Sequence, residues 1–131
     1  MSTEIALCNS ADLRDGGDAV TAIDKGSLAR QDYSVSVTHD KIEAAARNAD
    51  VVLLAIGESS TMSGEAQSRT AIVVPAPQQA LAEALARTGK PVIVLLHNGR
   101  ALALEGAVRD APAIVETWFL GSQSGHAIAD V

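Results

Sequence analysis

Aromatic residues are nearly missing from this sequence: Phe, Tyr and Trp together make up 2% of its 131 residues. A core of interlocking rings is thereby excluded. With 47% hydrophobic residues, the interior must be assembled from Ala, Val, Leu and Ile, which suits layers of helix and sheet. A single cysteine excludes an internal disulfide, and Cys8 lies in the apolar run Ile5–Cys8, which reads as a buried thiol rather than a reactive one. Positive charge is scarce, with ten Lys and Arg against sixteen Asp and Glu, and the net charge of −6 leaves no basic footprint for nucleic acid or an anionic membrane. No apolar run approaches the roughly 20 residues that a spanning helix needs. No basic segment leads into an apolar stretch at the start, so the chain as written reads as lacking a secretory signal and as cytoplasmic; a piece of an exported enzyme would look the same. The three histidines, His39, His97 and His126, have no zinc-ligand spacing, so neither a metal nor another cofactor is expected. The length predicts one domain, residues 1–131, with room for a real core.

What is present is an alternation of strands and helices. Ile5–Cys8 reads as a short strand, Asn9–Asp18 as a loop, and Ala19–Gln31 is ambiguous. Tyr33–Val37 alternates apolar and polar residues with period two, as a half-wet strand does. Asp40 precedes Glu43 by three residues, a helix-start spacing, and Ile42, Ala45 and Ala46 give that helix an apolar face up to Asn48. Val51–Ile56 is continuously apolar and ends at Gly57, the pattern of a strand covered on both faces. Pro77–Thr88 repeats Ala80, Leu81, Ala84 and Leu85 at helical spacing and is stopped by Gly89. Val92–Leu96 and Ala113–Phe119 read as two further strands, and Gly125–Asp130 as the start of a last helix. The order predicts an α/β fold: a three-layer α/β/α sandwich around a mostly parallel sheet of about five strands.

Ligands of such sheets bind beyond the carboxyl ends of the strands. That rule selects three groups: Glu58 with the loop Gly57–Arg69, the turn His97–Arg100, and Trp118–Gln123. The first places two carboxylates, Glu58 and Glu65, and the guanidinium of Arg69 in one polar stretch after a buried strand. Glu58 also suits a plain structural role, accepting hydrogen bonds from backbone amides at the strand end. Arg69 is expected to pair with Glu65 or to brace the loop, and Trp118 to be a core or subunit-contact residue rather than a sugar-stacking platform.

Five blocks carry a resemblance: Ala49–Glu58 (ADVVLLAIGE), Ser63–Arg69 (SGEAQSR), Gly89–Arg100 (GKPVIVLLHNGR), Ala113–Phe119 (AIVETWF) and Ala127–Val131 (AIADV). In order and spacing they are similar to the C-terminal α/β sandwich domain of family 3 glycoside hydrolases, the β-glucosidase type. The resemblance covers roughly residues 40–131, and the first forty residues match poorly. It implies a division of labour in which an N-terminal barrel carries an aspartate nucleophile, while the sandwich lends one loop that lies over the sugar. A glutamate in a Ser-Gly-Glu context on that loop acts as general acid/base, and the matching residue is Glu65. By the same resemblance Glu58, Met62, Ser63 and Arg69 belong to the substrate loop. Retaining glycosidases need two carboxyl groups about 5–5.5 Å apart, and nothing in the chain resembles the first of them. His97 and His126 stand where the family more often has an apolar residue and an asparagine; with Asn98 and Arg100 they form a secondary set of candidates.

Two functions follow from these residues. One is a detached family 3 C-terminal domain, supplying the acid/base loop, inactive on glycosides alone, and paired with a barrel domain or with further copies of itself. The other is an independent small hydrolase acting on a glycoside, ester or lactone through Glu65 or a Ser/His pair drawn from His97, Ser59, Ser122 and Ser124. No Gly-x-Ser-x-Gly elbow supports the latter. The chain stops at Val131 where the family continues, so an uncovered sheet edge or helix groove is expected. A carbohydrate substrate is the expected small-molecule partner; nucleic acid and membrane are not.

Overall fold

A computed structural model describes residues 5–9, 19–23, 39–59 and 61–131. The element order is β1 (Ile5–Asn9), β2 (Ala19–Ile23), α1 (His39–Asn48), β3 (Val51–Gly57), α2 (Ala76–Ala86), β4 (Val92–His97), α3 (Gly106–Arg109), β5 (Ala113–Glu116) and α4 (Ser124–Ala129). The strands form one sheet in the order β2-β1-β3-β4-β5. β1, β3, β4 and β5 run parallel, and β2 pairs antiparallel with β1 at the edge. The predicted α/β sandwich around a mostly parallel sheet is the architecture observed. The ambiguous span beginning at Ala19 opens as β2. The expected strand Tyr33–Val37 lies outside the described residues, as do residues 10–18 of the expected loop and the surroundings of the Cys8 thiol.

Alternation along the central strands sets the core. Val52, Leu54 and Ile56 of β3 and Val92, Val94 and Leu96 of β4 point to one face, where they meet Ile42 and Ala46 of α1, Leu81, Ala82 and Leu85 of α2, and Val108 of α3. Each fully buried Leu or Ile there contributes about 1.5–3 kcal/mol relative to exposure. The opposite face is less completely sealed, with Leu53 and Ile93 half-buried. α1 carries an exposed Glu43–Arg47 pair one turn apart at 3.0 Å. α2 begins after Pro75, has Pro77 in its first turn, where the missing N–H costs nothing, and is followed by Gly89 at φ +75°.

Two elements differ from the pattern reading. β5 ends at Glu116 rather than reaching Phe119, because Trp118 has φ +51°, a left-handed conformation that takes the chain out of the sheet. α3 was not legible: its four residues offer no helical repeat, and it is held from outside, where Ala107 N–H donates to Glu83 Oε1 on α2 at 2.7 Å. Among the described residues no helix is long and apolar enough to cross a membrane.

Candidate functional site

The parallel register fixes which strand ends meet. Gly57 pairs with His97 and Leu96 with Glu116, so the first residues past β3, β4 and β5 share one edge. Glu58 N–H continues the ladder by donating to the His97 carbonyl at 2.7 Å. Gly57 is needed at this junction: it has φ +135°, and a Cβ there would collide with the His97 backbone carbonyl. Its own N–H donates to Gln78 Oε1 at 2.7 Å, a bond from the buried start of α2.

Glu58 is the centre of the site, buried and held on both carboxylate oxygens. The side chain has no solvent exposure. Its Oε1 accepts from Arg69 Nη1 at 2.8 Å and lies 3.1 Å from Arg100 Nε, while Oε2 accepts from Gly99 N–H at 3.2 Å. The Arg100 Nε approach is an ion pair without hydrogen-bond alignment, since that nitrogen has no hydrogen-bond partner of its own. A backbone amide acceptor was the expected role, and two guanidiniums are added to it. Arg69 therefore pairs with Glu58 and not with Glu65; it does brace the loop, donating from Nη2 to the Val73 carbonyl at 3.1 Å.

Arg100 reaches the far part of the loop. Its Nη2 donates to the Met62 carbonyl at 2.8 Å and to the Gln67 carbonyl at 2.9 Å. Between those anchors Gln67 N–H donates to the Gly64 carbonyl at 3.2 Å, closing a four-residue turn. Ala66 has φ +61° whereas Glu65 keeps a negative φ, which is the signature of a type II turn with Glu65 at its second position. Glu65 is exposed, and among the described residues its carboxylate accepts no hydrogen bond or ion pair. Ser63, half-buried, lies against Gly99, where an added Cβ would press on its hydroxyl and on Phe119 Cε2. Met62 is half-buried beside it in sequence.

The secondary candidates divide. Asn98 is fully buried and donates from Nδ2 to the Arg100 carbonyl at 2.7 Å and to Glu116 Oε2 at 3.4 Å, holding the turn after β4. His97 Nδ1 lies 2.7 Å from Thr117 Oγ1, whose hydroxyl also donates to the Leu96 carbonyl at 2.8 Å. Among the described residues no serine hydroxyl is bonded to His97: Ser59 Oγ meets Thr61 Oγ1 at 2.9 Å instead. His126 is exposed on α4, away from these bonds. Trp118, expected in a core or subunit contact, is 49% exposed and is not a core residue. Thr117, Glu116 and Gln78 complete the site without having been singled out; a polar residue on a buried helix face was the only signal for Gln78.

Among the described residues the loop presents one carboxylate without a hydrogen-bond or ion-pair partner, Glu65, on a turn fastened to the sheet. Glu58 is buried and paired with two arginines. Among the described residues no group of His, Cys, Asp and Glu is arranged to hold a metal.

Comparison with known proteins places this arrangement. A family model described as the glycosyl hydrolase family 3 C-terminal domain matches residues 8–131, extending the similarity upstream of residue 40. The periplasmic beta-glucosidase of Salmonella typhimurium is 51% identical over 92 residues, which are 70% of this chain and 12% of that protein. The beta-xylosidase of Formosa agariphila is 42% identical over 88 residues, 67% of this chain and 12% of its own length. Among solved structures, the beta-glucosidase from Listeria innocua in complex with isofagomine superposes with a TM-score of 0.67 at 39% identity, over 70% of this chain and 13% of that one. The chain thus spans only about an eighth of the length of these relatives.

Proposed function

Because the chain belongs to the C-terminal domains of glycosyl hydrolase family 3, we propose that it supplies the general acid/base, Glu65, to a sugar site whose remaining groups lie on another domain. The observation that carries this reading is the contrast between the two glutamates of the loop. Glu65 stands exposed at the tip of a fastened turn, while Glu58 is sealed beneath it with two arginines. One carboxylate is available, and double displacement at a sugar requires a second about 5–5.5 Å away. A barrel domain bearing an aspartate nucleophile is the partner we infer, with the described residues acting as a single unit against it. The exposed apolar residues Trp118, Phe119 and Leu120, which follow β5 at the same sheet edge, offer a surface for such docking. The substrate class is a β-linked glycoside, in keeping with relatives named beta-glucosidase and beta-xylosidase.

In the mechanism Glu65, protonated, gives its proton to the glycosidic oxygen as the partner's aspartate attacks the anomeric carbon. The resulting carboxylate then takes a proton from water as water displaces the aspartate. Arg69, Arg100 and Glu58 touch no reacting atom and hold the turn. The test is complementation of this chain with a family 3 barrel domain, followed by release of glucose from an alkyl β-glucoside and from a dinitrophenyl β-glucoside. Glu65→Gln is expected to lower kcat/KM for the alkyl substrate by about 10²–10⁴-fold and that for the dinitrophenyl substrate, whose leaving group needs no proton, far less, while kcat for the latter also falls because the second step has lost its base. Equal losses of kcat/KM on both substrates, or turnover by the chain alone that survives Glu65→Gln, would overturn the assignment.

A further inference from the structure

We propose that Arg100 is a positioning residue for Glu65, acting through the backbone of the loop as a clasp across the base of the turn. This builds on the acid/base assignment of Glu65. A single nitrogen, Arg100 Nη2, donates to the Met62 and Gln67 carbonyls, which stand on either side of the segment Ser63–Ala66. Arg100 follows β4, so its clasp ties both stems of the turn to the rigid end of a central strand, 38 and 33 positions along the chain. The guanidinium is aimed by Glu58, whose Oε1 lies 3.1 Å from Nε and is shared with Arg69.

Three features separate this from a general stabilising ion pair. The bonds to the loop all go to main-chain carbonyls, so they define the path of the backbone and leave the Glu65 carboxylate untouched. Nη2 holds both carbonyls while Nε, at another corner of the same planar group, lies against Glu58 Oε1, a separation that a single ammonium nitrogen cannot bridge. The turn needs outside support, since Ala66 holds φ +61° without being glycine, a conformation that persists only when its surroundings impose it. Gly99 adds a steric floor, because Ser63 packs where its side chain would be.

The test is backbone ¹⁵N relaxation on the isolated chain and on its Arg100→Gln and Arg100→Lys variants, with thermal midpoints measured beside it. In the unsubstituted chain Gly64, Glu65 and Ala66 are expected near the order parameter of rigid backbone, about 0.85. In Arg100→Gln these three residues should fall below about 0.6, while β3 and β4 keep their values. Arg100→Lys retains the charge beside Glu58 but not the fork, and should also loosen the turn; it decides the matter should the glutamine variant not fold. A turn already below about 0.6 in the unsubstituted chain, a lysine variant as rigid as arginine, or loosening spread evenly over the sheet would each overturn the clasp. No sugar enters these measurements, so failure of the acid/base assignment would appear only in the complementation assay and would leave them unaltered.

Discussion

At the scale of single residues, burial decides what each charged group can do. Glu58 and Arg109 each take part in an ion pair, yet only the first is sealed from water: the Glu58 side chain is fully buried against Arg69 and Arg100, which are 21% and 26% exposed. Glu58→Ala removes a carboxylate that neutralises two guanidiniums, and we expect a loss of about 3 kcal/mol by urea unfolding, the lower end for such a deletion because both arginines reach some solvent. Arg109 and Asp110, fully exposed neighbours, make two hydrogen bonds of 2.7 and 2.8 Å. Hydrogen bonding by Arg109, with the attraction of its charge, holds the Asp110 carboxyl below its ordinary value. A lowered folded-state value means a contribution present above the unfolded pKa and lost as pH falls through the folded one. In Arg109→Gln, carboxyl NMR should show Asp110 returning to the ordinary carboxylate range, with the urea midpoint near neutral pH lowered only slightly, as suits an exposed pair. The sequence marked Glu58, Glu65 and Arg69 as a group, but not which carboxylate Arg69 takes. That choice depends on the path of the loop, set by the bond from Arg69 to the Val73 carbonyl and by Arg100, a residue more than thirty positions downstream.

Elements meet most tightly where β3 passes into the loop. Gly57 closes on the His97 carbonyl, its N–H is taken by Gln78 on α2, and its φ of +135° is closed to side chains. Gly57→Ala should therefore cost about 3 kcal/mol, seen as a lowered thermal midpoint. β3 and β4 were legible as continuous apolar runs and α1 and α2 as apolar repeats, which meet in the core through Val52, Leu54 and Ile56 on one side and Leu81 and Leu85 on the other, although Ala80 of the α2 repeat is exposed and Ala82 is buried instead. Elements without such a pattern were not legible. α3 exists because Glu83 caps it from a neighbouring helix, and β5 stops early because Trp118 turns left-handed; both depend on contacts that local spacing does not encode. The turn around Glu65 was hidden for a related reason, since its left-handed position holds alanine where glycine would have announced it.

For the molecule as a whole, the register of β3, β4 and β5 brings Glu58, His97 and Thr117 together at one edge of the parallel sheet, while His126 stays apart on α4. The edge rule for parallel sheets selected Glu58 and the turn after β4 from sequence, and the structure does bring them into contact; the rule says nothing of which members are reactive. Past the end of β5 on that edge, Trp118, Phe119 and Leu120 are exposed within the described chain. Trp118 is the chain's one tryptophan and is half exposed, so its fluorescence reports directly on docking. Adding a family 3 barrel domain should shift its emission to shorter wavelength, and Phe119→Ser should weaken the titration; an unchanged spectrum at saturating barrel would show that the edge stays wet. The distribution of the loop's supports also bears on exchanging parts between relatives. Residues 58–69 look like a cassette, but half of what shapes them comes from Gly99 and Arg100 after the next strand. A chimera that swaps only the contiguous loop would inherit the acid and lose the means of aiming it, so the transferable unit is discontinuous: two strand ends moved together.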